Sequence, residues 1–175
     1  MKNVQMKSYL ALIILISIPF IGCKNGSTSP NNQVSSFSIV LLKDSTLSTA
    51  QVKGAPLDSL IINGQSIINI SDIIYYRWSD HHIELTSEGF NKFKSVESKI
   101  KSTYGLPFIV VASGEKIYLG NIYPSYSSYM HTDIPYIFVA PFTSLDIQRA
   151  PDKTIADKRN DPRIYSALES INKLK

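Results

Sequence analysis

Residues 106–123 read Leu-Pro-Phe-Ile-Val-Val-Ala-Ser-Gly-Glu-Lys-Ile-Tyr-Leu-Gly-Asn-Ile-Tyr, and this stretch decides the fold. Leu106–Ala112 is an almost continuous apolar run, which is typical of a buried strand. Ser113-Gly114-Glu115 contains a turn dipeptide. Residues 116–123 are again rich in apolar and aromatic side chains, which favour a strand. The stretch therefore predicts a strand, a tight turn and a return strand.

The segment before this hairpin predicts a second hairpin and then a helix. Ile73–Trp78 and His82–Leu85 read as two strands joined across Ser79-Asp80-His81. Thr86 is a suitable N-cap for the helix that follows, and Glu88 is favourable in its first turn. The apolar residues that follow are spaced three or four apart and form one stripe that we expect to face the core: Phe90, Phe93, Val96 and Ile100.

Further strands are predicted on both sides of this central part. Apolar runs predict strands at Ser36–Leu42 and Ile134–Ala140. Leu57–Ile62 and Ile67–Ile70 are shorter apolar pieces, divided by Asn63-Gly64, which is a turn signal. Asp161-Pro162 predicts the start of a terminal helix, with an apolar face made of Ile164, Leu168, Ile171 and Leu174. We therefore expect an α+β domain: a mostly antiparallel sheet with a mid-chain helix on one face and a C-terminal helix.

The N-terminus has the pattern of an export signal. Lys2 and Lys7 precede an apolar run of 13 residues, 9–21, which has the length of a signal-peptide core and is too short to span a bilayer. The run ends in Phe20-Ile21-Gly22-Cys23, which resembles the lipobox of bacterial lipoproteins, although that family usually has Leu where Phe20 stands. The resemblance implies a signal peptide at residues 1–22, cleavage before Cys23 and lipidation of Cys23.

The chain after the leader divides into a tether and one domain. Residues 24–35 are polar and carry little to bury, so we expect 23–35 to be the lipidated Cys and a disordered tether of at most ~40 Å. Residues 36–175 then form a single domain. Without the two leader lysines the chain has 16 basic and 14 acidic residues, a net charge of +2. That balance gives no electrostatic footprint for nucleic acid.

The stretch Ile83–Ile122 resembles the first periplasmic domain of SecD, a subunit of the export motor. The resemblance rests on a strand that enters a helix through Leu85-Thr86-Ser87-Glu88-Gly89, followed by an apolar strand, a Gly-containing turn and a return strand. The resembling segment is about as long as a supersecondary unit. The resemblance therefore implies the fold of that unit and not the activity of the motor. The start of the terminal helix, Arg159–Ile164, is also similar to that of small bacterial lipoproteins.

Motifs for catalysis or metal binding are weak. His81 and His82 are adjacent, so on a strand they point to opposite faces and chelate poorly; we expect a solvated turn. Ser98-Lys99-Ile100-Lys101 and Ser170-Ile171-Asn172-Lys173 match Ser-x-x-Lys, but the partner motifs of that enzyme class are absent from the sequence. We therefore expect no cofactor and no metal site, and we favour a non-enzymatic protein over an enzyme. An envelope hydrolase stays open as a further alternative.

The segment from Tyr118 to Tyr136 is the best candidate for a contact surface. Tyr123, Tyr126 and Tyr129 are separated by Pro124 and serines, and tyrosine gives a large contact area at low entropic cost. The leading hypothesis is a lipid-anchored binding or interaction module of the cell envelope, with the membrane and an envelope protein as partners. The alternative is an export-related, chaperone-like accessory factor. Lys24 after the lipidated Cys favours the outer membrane, facing the periplasm, in a diderm host.

Overall fold

The computed structural model describes residues 37–139 and 143–175. Its strands follow one another in groups that are separated by single helices. They are β1 (Phe37–Leu42), α1 (Thr49–Val52), β2 (Ile62–Asn69), β3 (Ile73–Arg77), β4 (His82–Leu85), α2 (Ser87–Lys94), β5 (Leu106–Ala112), β6 (Glu115–Tyr123), β7 (Tyr136–Phe138), β8 (Ser144–Asp146) and α3 (Pro162–Glu169). The two sheets are mostly antiparallel, so the predicted α+β class is confirmed.

The N-terminal predictions lie outside the described residues. The signal peptide, Cys23 and the tether all fall within residues 1–36, so both predicted domain boundaries stay predictions. Among the helices of the described ranges, none combines the length and the apolarity that a bilayer span requires.

The larger sheet is built around the predicted hairpin. Its strand order is β2-β1-β5-β6-β7, with β5 and β6 antiparallel and β7 parallel to β6. The turn between β5 and β6 consists of Ser113 (φ 51°) and Gly114 (φ 81°), and Ala112 pairs directly with Glu115. Two consecutive positive φ angles match the right-handed twist of the flanking strands, which is why this two-residue turn closes the hairpin.

The smaller sheet contains the second predicted hairpin. Its order is β3-β4-β8, and β3 pairs with β4 across the turn at 78–81, as predicted. The chain after α3 runs along the free edge of β3, where the Tyr76 N–H donates to the Lys173 carbonyl at 2.7 Å and the Lys175 N–H donates to the Tyr76 carbonyl at 2.8 Å. This pairing covers a strand edge that would otherwise be open.

Helix α2 begins as predicted and ends earlier than predicted. The Thr86 side chain accepts a hydrogen bond from the Gly89 N–H, which satisfies an otherwise free donor of the first turn. The helix ends at Lys94, and a 3₁₀ turn at Glu97–Lys99 follows. Phe93, Val96 and Ile100 are buried, whereas Phe90 is half-buried at the edge of the core.

The core lies on both faces of the larger sheet. One cluster fills the space between this sheet, the smaller sheet and the helices; it includes Phe37, Tyr76, Phe108 and Leu168. A second cluster, centred on Val40 and Ile109, is covered by the segment that contains α1. Burial on both faces explains why β5 is apolar along its whole length.

Three local predictions are wrong. Asn63-Gly64 is not a turn between two strands; it lies within β2, where the register against β1 shifts and the Asn63 side chain accepts from the Gln65 N–H. A turn dipeptide can therefore make a bulge when a neighbouring strand continues the pairing. The strand predicted at Ile134–Ala140 shortens to β7, and α3 ends at Glu169, so Ile171 and Leu174 lie beyond the helix.

Candidate binding surface

The loop between β6 and β7 is held to the rest of the fold by specific contacts. Ser127 donates its hydroxyl hydrogen bond to the Thr103 carbonyl at 2.7 Å, and it accepts one from the Tyr129 N–H at 3.2 Å. At the far end of the loop, Lys53 forms an ion pair with Asp133 at 3.0 Å. The loop is therefore tied to two distant segments of the chain, which limits how far its side chains can move.

The exposed side chains of this loop form an aromatic surface with Tyr104. The rings of Tyr104 and Tyr129 meet edge to face with centroids 4.8 Å apart. Seven large hydrophobic side chains are exposed in the described part of the chain, and four of them are here. We call these four the tyrosine surface: Tyr104, Tyr126, Tyr129 and Met130. Tyr126 is the most exposed of them, at 72 %.

The backbone at Tyr104 is held in place by the buried side-chain amide of Asn121. Asn121, at 0 % exposure in β6, donates from Nδ2 to the Tyr104 carbonyl at 3.0 Å and accepts from the Thr49 hydroxyl. The adjacent Gly105 has φ 80°, and a Cβ at this position would overlap the Asn121 amide. Position 105 therefore requires glycine for two reasons: its positive φ angle, and the close approach of the Asn121 amide to its backbone. Tyr104 is distant from the loop in sequence, and no local pattern predicts that it joins the surface.

Tyr123, one of the three tyrosines of the predicted contact surface, is not exposed. Its ring is fully buried, and its hydroxyl accepts a hydrogen bond from the His131 N–H. Tyr123 is the last residue of β6 and pairs in register with Phe138 of β7, so the parallel strand holds it in the sheet. Burial raises the pKa of its hydroxyl. Tyr123 therefore supports the loop from below, whereas Tyr126 and Tyr129 are on its outer side.

The histidines are dispersed rather than assembled into a ligand set. His81 is buried, with Nδ1 2.8 Å from the Tyr76 hydroxyl, so the expected solvated turn is wrong for this residue. His82 instead contacts Asp146 through Nδ1 at 2.6 Å. His131 is buried under the loop. Among residues 37–139 and 143–175, no three or more His, Cys, Asp or Glu side chains are grouped so that they could hold a metal ion.

The largest pKa change of a histidine belongs to His81. Burial, followed by the positive charge of Arg159, lowers the pKa of His81 to about 4. Arg159 itself donates to Asp157 at 2.6 Å and to the Ile147 carbonyl at 2.6 Å. The hydrogen bond from Arg159 lowers the pKa of Asp157. Arg159 and Asp157 thus form a hydrogen-bonded ion pair, and the low pKa of His81 keeps the neighbouring imidazole neutral at pH 7.

The carboxylates with shifted pKa values are all stabilised in the ionised form. Hydrogen bonds from neighbouring side chains lower the pKa of each: Asp44, Asp80, Asp152, Asp157 and Asp161. A general acid of a hydrolase needs a raised pKa instead. The serines of the two Ser-x-x-Lys matches, Ser98 and Ser170, each donate to a backbone carbonyl three residues earlier. Their geometry is that of local helix contacts rather than of an activated nucleophile.

The fold and this surface together define an α+β domain with an exposed aromatic surface. Comparison with protein-family models, curated proteins and solved structures finds no match. The elements on which the resemblance to SecD rests are present, since β4 leads into the capped helix α2 and β5 and β6 form the hairpin. That resemblance and the similarity to bacterial lipoproteins stay predictions.

Proposed function

We propose that this chain is a lipid-anchored protein of the bacterial envelope, whose α+β domain works as a non-enzymatic binding module. The tyrosine surface is its contact area for an envelope protein. The observation that carries the proposal is the concentration of exposed large hydrophobic side chains in one loop and the adjoining Tyr104, which hold four of the seven found in residues 37–139 and 143–175. Exposed apolar area of this kind is costly in water and is typical of interaction sites.

The composition of the tyrosine surface suits protein recognition. Tyrosine is enriched in interfaces because a rigid ring and a hydroxyl combine a large apolar area with a hydrogen-bonding end. The side chains have few rotatable bonds, so little conformational entropy is lost on contact. The surface is already ordered in the unbound protein by two contacts. Ser127 donates to the Thr103 carbonyl, and the ring of Tyr129 packs against that of Tyr104. Such preorganisation improves affinity.

The predicted anchor supplies the location. Lipidation at Cys23 would tie the domain to a membrane, and two or more acyl chains give stable attachment. The 12 residues from 24 to 35 would let the domain extend at most ~40 Å from its anchor. In a diderm host Lys24 favours the outer membrane. A partner would then be another envelope protein within this reach.

Site-specific photo-crosslinking tests the proposal. A photoreactive amino acid replaces Tyr126 in the full-length, lipidated protein, and a matched variant carries it at Ile74, an exposed apolar residue of the smaller sheet. Irradiation of intact cells is expected to give a discrete crosslinked product from position 126 that is missing from position 74. Crosslinking from 126 only to lipid, or equal products from both positions, would refute the contact area.

A further inference from the structure

A separate open depression lies between the β3–β4 hairpin and α3. It has a volume of about 540 Å³, within the range of small-molecule sites. Trp78 follows β3 directly, and Tyr165 and Glu169 are one helical turn apart on α3. Asn172 completes the wall beyond the end of the helix. None of these residues belongs to the tyrosine surface.

Two aromatic rings form a right-angled corner in this depression. The rings of Trp78 and Tyr165 have centroids 5.2 Å apart and an interplanar angle of 90°. Trp78 is half-buried and packs against the buried ring of His81 at 5.3 Å, which fixes it from below. Tyr165 is 37 % exposed. Trp78 is therefore the wall that packing holds in place, and Tyr165 is the wall that is accessible to solvent.

The polar groups around the corner suit a ligand rich in hydroxyl groups. Glu169 provides a carboxylate acceptor, while the Asn172 amide and the Ser79 hydroxyl can both donate and accept. The ammonium of Lys175 lies 3.9 Å from the centre of the Tyr75 ring, so its charge is already engaged in a cation–π contact. An anionic phosphate would be recognised by paired arginines or a free lysine. The groups that remain are aromatic faces and hydrogen-bonding side chains, which a sugar ring and its hydroxyl groups would satisfy.

We propose that this depression binds a neutral saccharide through one of its pyranose rings. The C–H bonds on one face of a pyranose carry partial positive charge, and the face of an aromatic ring is negative, so the two surfaces attract. The corner of Trp78 and Tyr165 offers this apolar contact. The sugar hydroxyls would then pair with Glu169 and Asn172, which fix the orientation of the ring.

Asn172 allows its side chain to be removed with little strain. Its φ is 55°, a left-handed conformation that glycine adopts without cost. Asn172→Gly therefore deletes the amide and keeps the backbone path of the depression. Tyr165→Ala removes one aromatic wall from an exposed helix position. Ile61→Ala is the matched control, because it removes an exposed large apolar side chain that belongs neither to this depression nor to the tyrosine surface.

The test uses the only tryptophan of the chain, Trp78, as an intrinsic probe. Maltotriose, cellotriose and tri-N-acetylchitotriose are titrated separately while tryptophan emission is recorded, and calorimetry repeats each titration. At least one sugar is expected to give a saturable change with a dissociation constant of about 1 mM or tighter. Tyr165→Ala and Asn172→Gly should each weaken binding by at least about tenfold. Ile61→Ala should bind as the unmodified protein does.

Two results would overturn the inference. One is the lack of saturable binding of all three sugars by both methods, with the protein folded by circular dichroism. The other is equal affinity in the unmodified protein and in Tyr165→Ala. The outcome is independent of the tyrosine surface, since crosslinking from position 126 does not involve this depression.

Discussion

Acidification should destabilise the fold through His81. The ring is 3 % exposed, and its Nδ1 lies 2.8 Å from the Tyr76 hydroxyl. Burial is the main cause that lowers its pKa from 6.5 to about 4, and Arg159 adds to it; Asp157, Asn160 and Asp80 act in the opposite direction. The unfolded chain therefore binds the proton more readily. Stability from this group is fully present above pH 6.5 and is lost as the pH falls from 6.5 towards 4.

The size of the loss follows from single-site linkage. With pKa values of about 4 in the folded and 6.5 in the unfolded chain, protonation lowers the free energy of unfolding by about 2 kcal/mol at pH 5 relative to pH 7.5. The matched variant is His81→Asn, since asparagine does not titrate and tolerates the φ of 57° at this position. Groups such as His131, whose pKa is also lowered by burial, titrate in both proteins and cancel in the comparison.

The assay is urea unfolding of both proteins at a series of pH values. The free energy of unfolding of the unmodified protein should fall between pH 7.5 and pH 5 by about 2 kcal/mol more than that of His81→Asn. The linear dependence on urea gives each free energy. Parallel pH dependences of the two proteins would refute the reasoning, because they would show that the buried imidazole does not account for the loss.

Three further changes test the core and the anchor. Phe93→Ala should lower the free energy of unfolding by about 3–5 kcal/mol and Phe90→Ala by less, because only Phe93 is fully enclosed; equal losses in urea unfolding would contradict this. Gly120→Ala should cost about 1–3 kcal/mol, since its Cβ would overlap the buried Phe108 ring, and an unchanged urea midpoint would exclude the overlap. Cys23→Ala should move the protein from the membrane fraction to the soluble fraction; an unacylated Cys23 in mass spectrometry of the unmodified protein would disprove the anchor.

Local chemistry made part of the fold predictable. The β5–β6 hairpin follows from an apolar run and a Ser-Gly turn, and Thr86 and Asp161 cap α2 and α3 as predicted. In each case the deciding interaction joins residues within a few positions of each other. Such local interactions can be predicted from the sequence without knowledge of the tertiary structure.

Long-range pairing accounts for what the sequence did not predict. Strand β8 has three residues and exists because it pairs with β4, about 60 positions earlier in the chain. Tyr123 is buried because β7 pairs beside it, although its neighbours in the sequence suggest a loop. Tyr104 joins the tyrosine surface through Asn121 and Gly105. These contacts depend on tertiary structure, which overrides local preference.

The central claim, that the tyrosine surface binds an envelope protein, is tested most directly by removing its two loop rings. Tyr126→Ala and Tyr129→Ala are combined in the lipidated protein, and Ile74→Ala is the control. Capture of the partner crosslinked from position 126 and the unfolding temperature are then measured on the same preparations. We predict that the double variant loses capture, by more than about tenfold, at an unchanged unfolding temperature, while Ile74→Ala retains it. Full capture by a folded double variant would contradict the account.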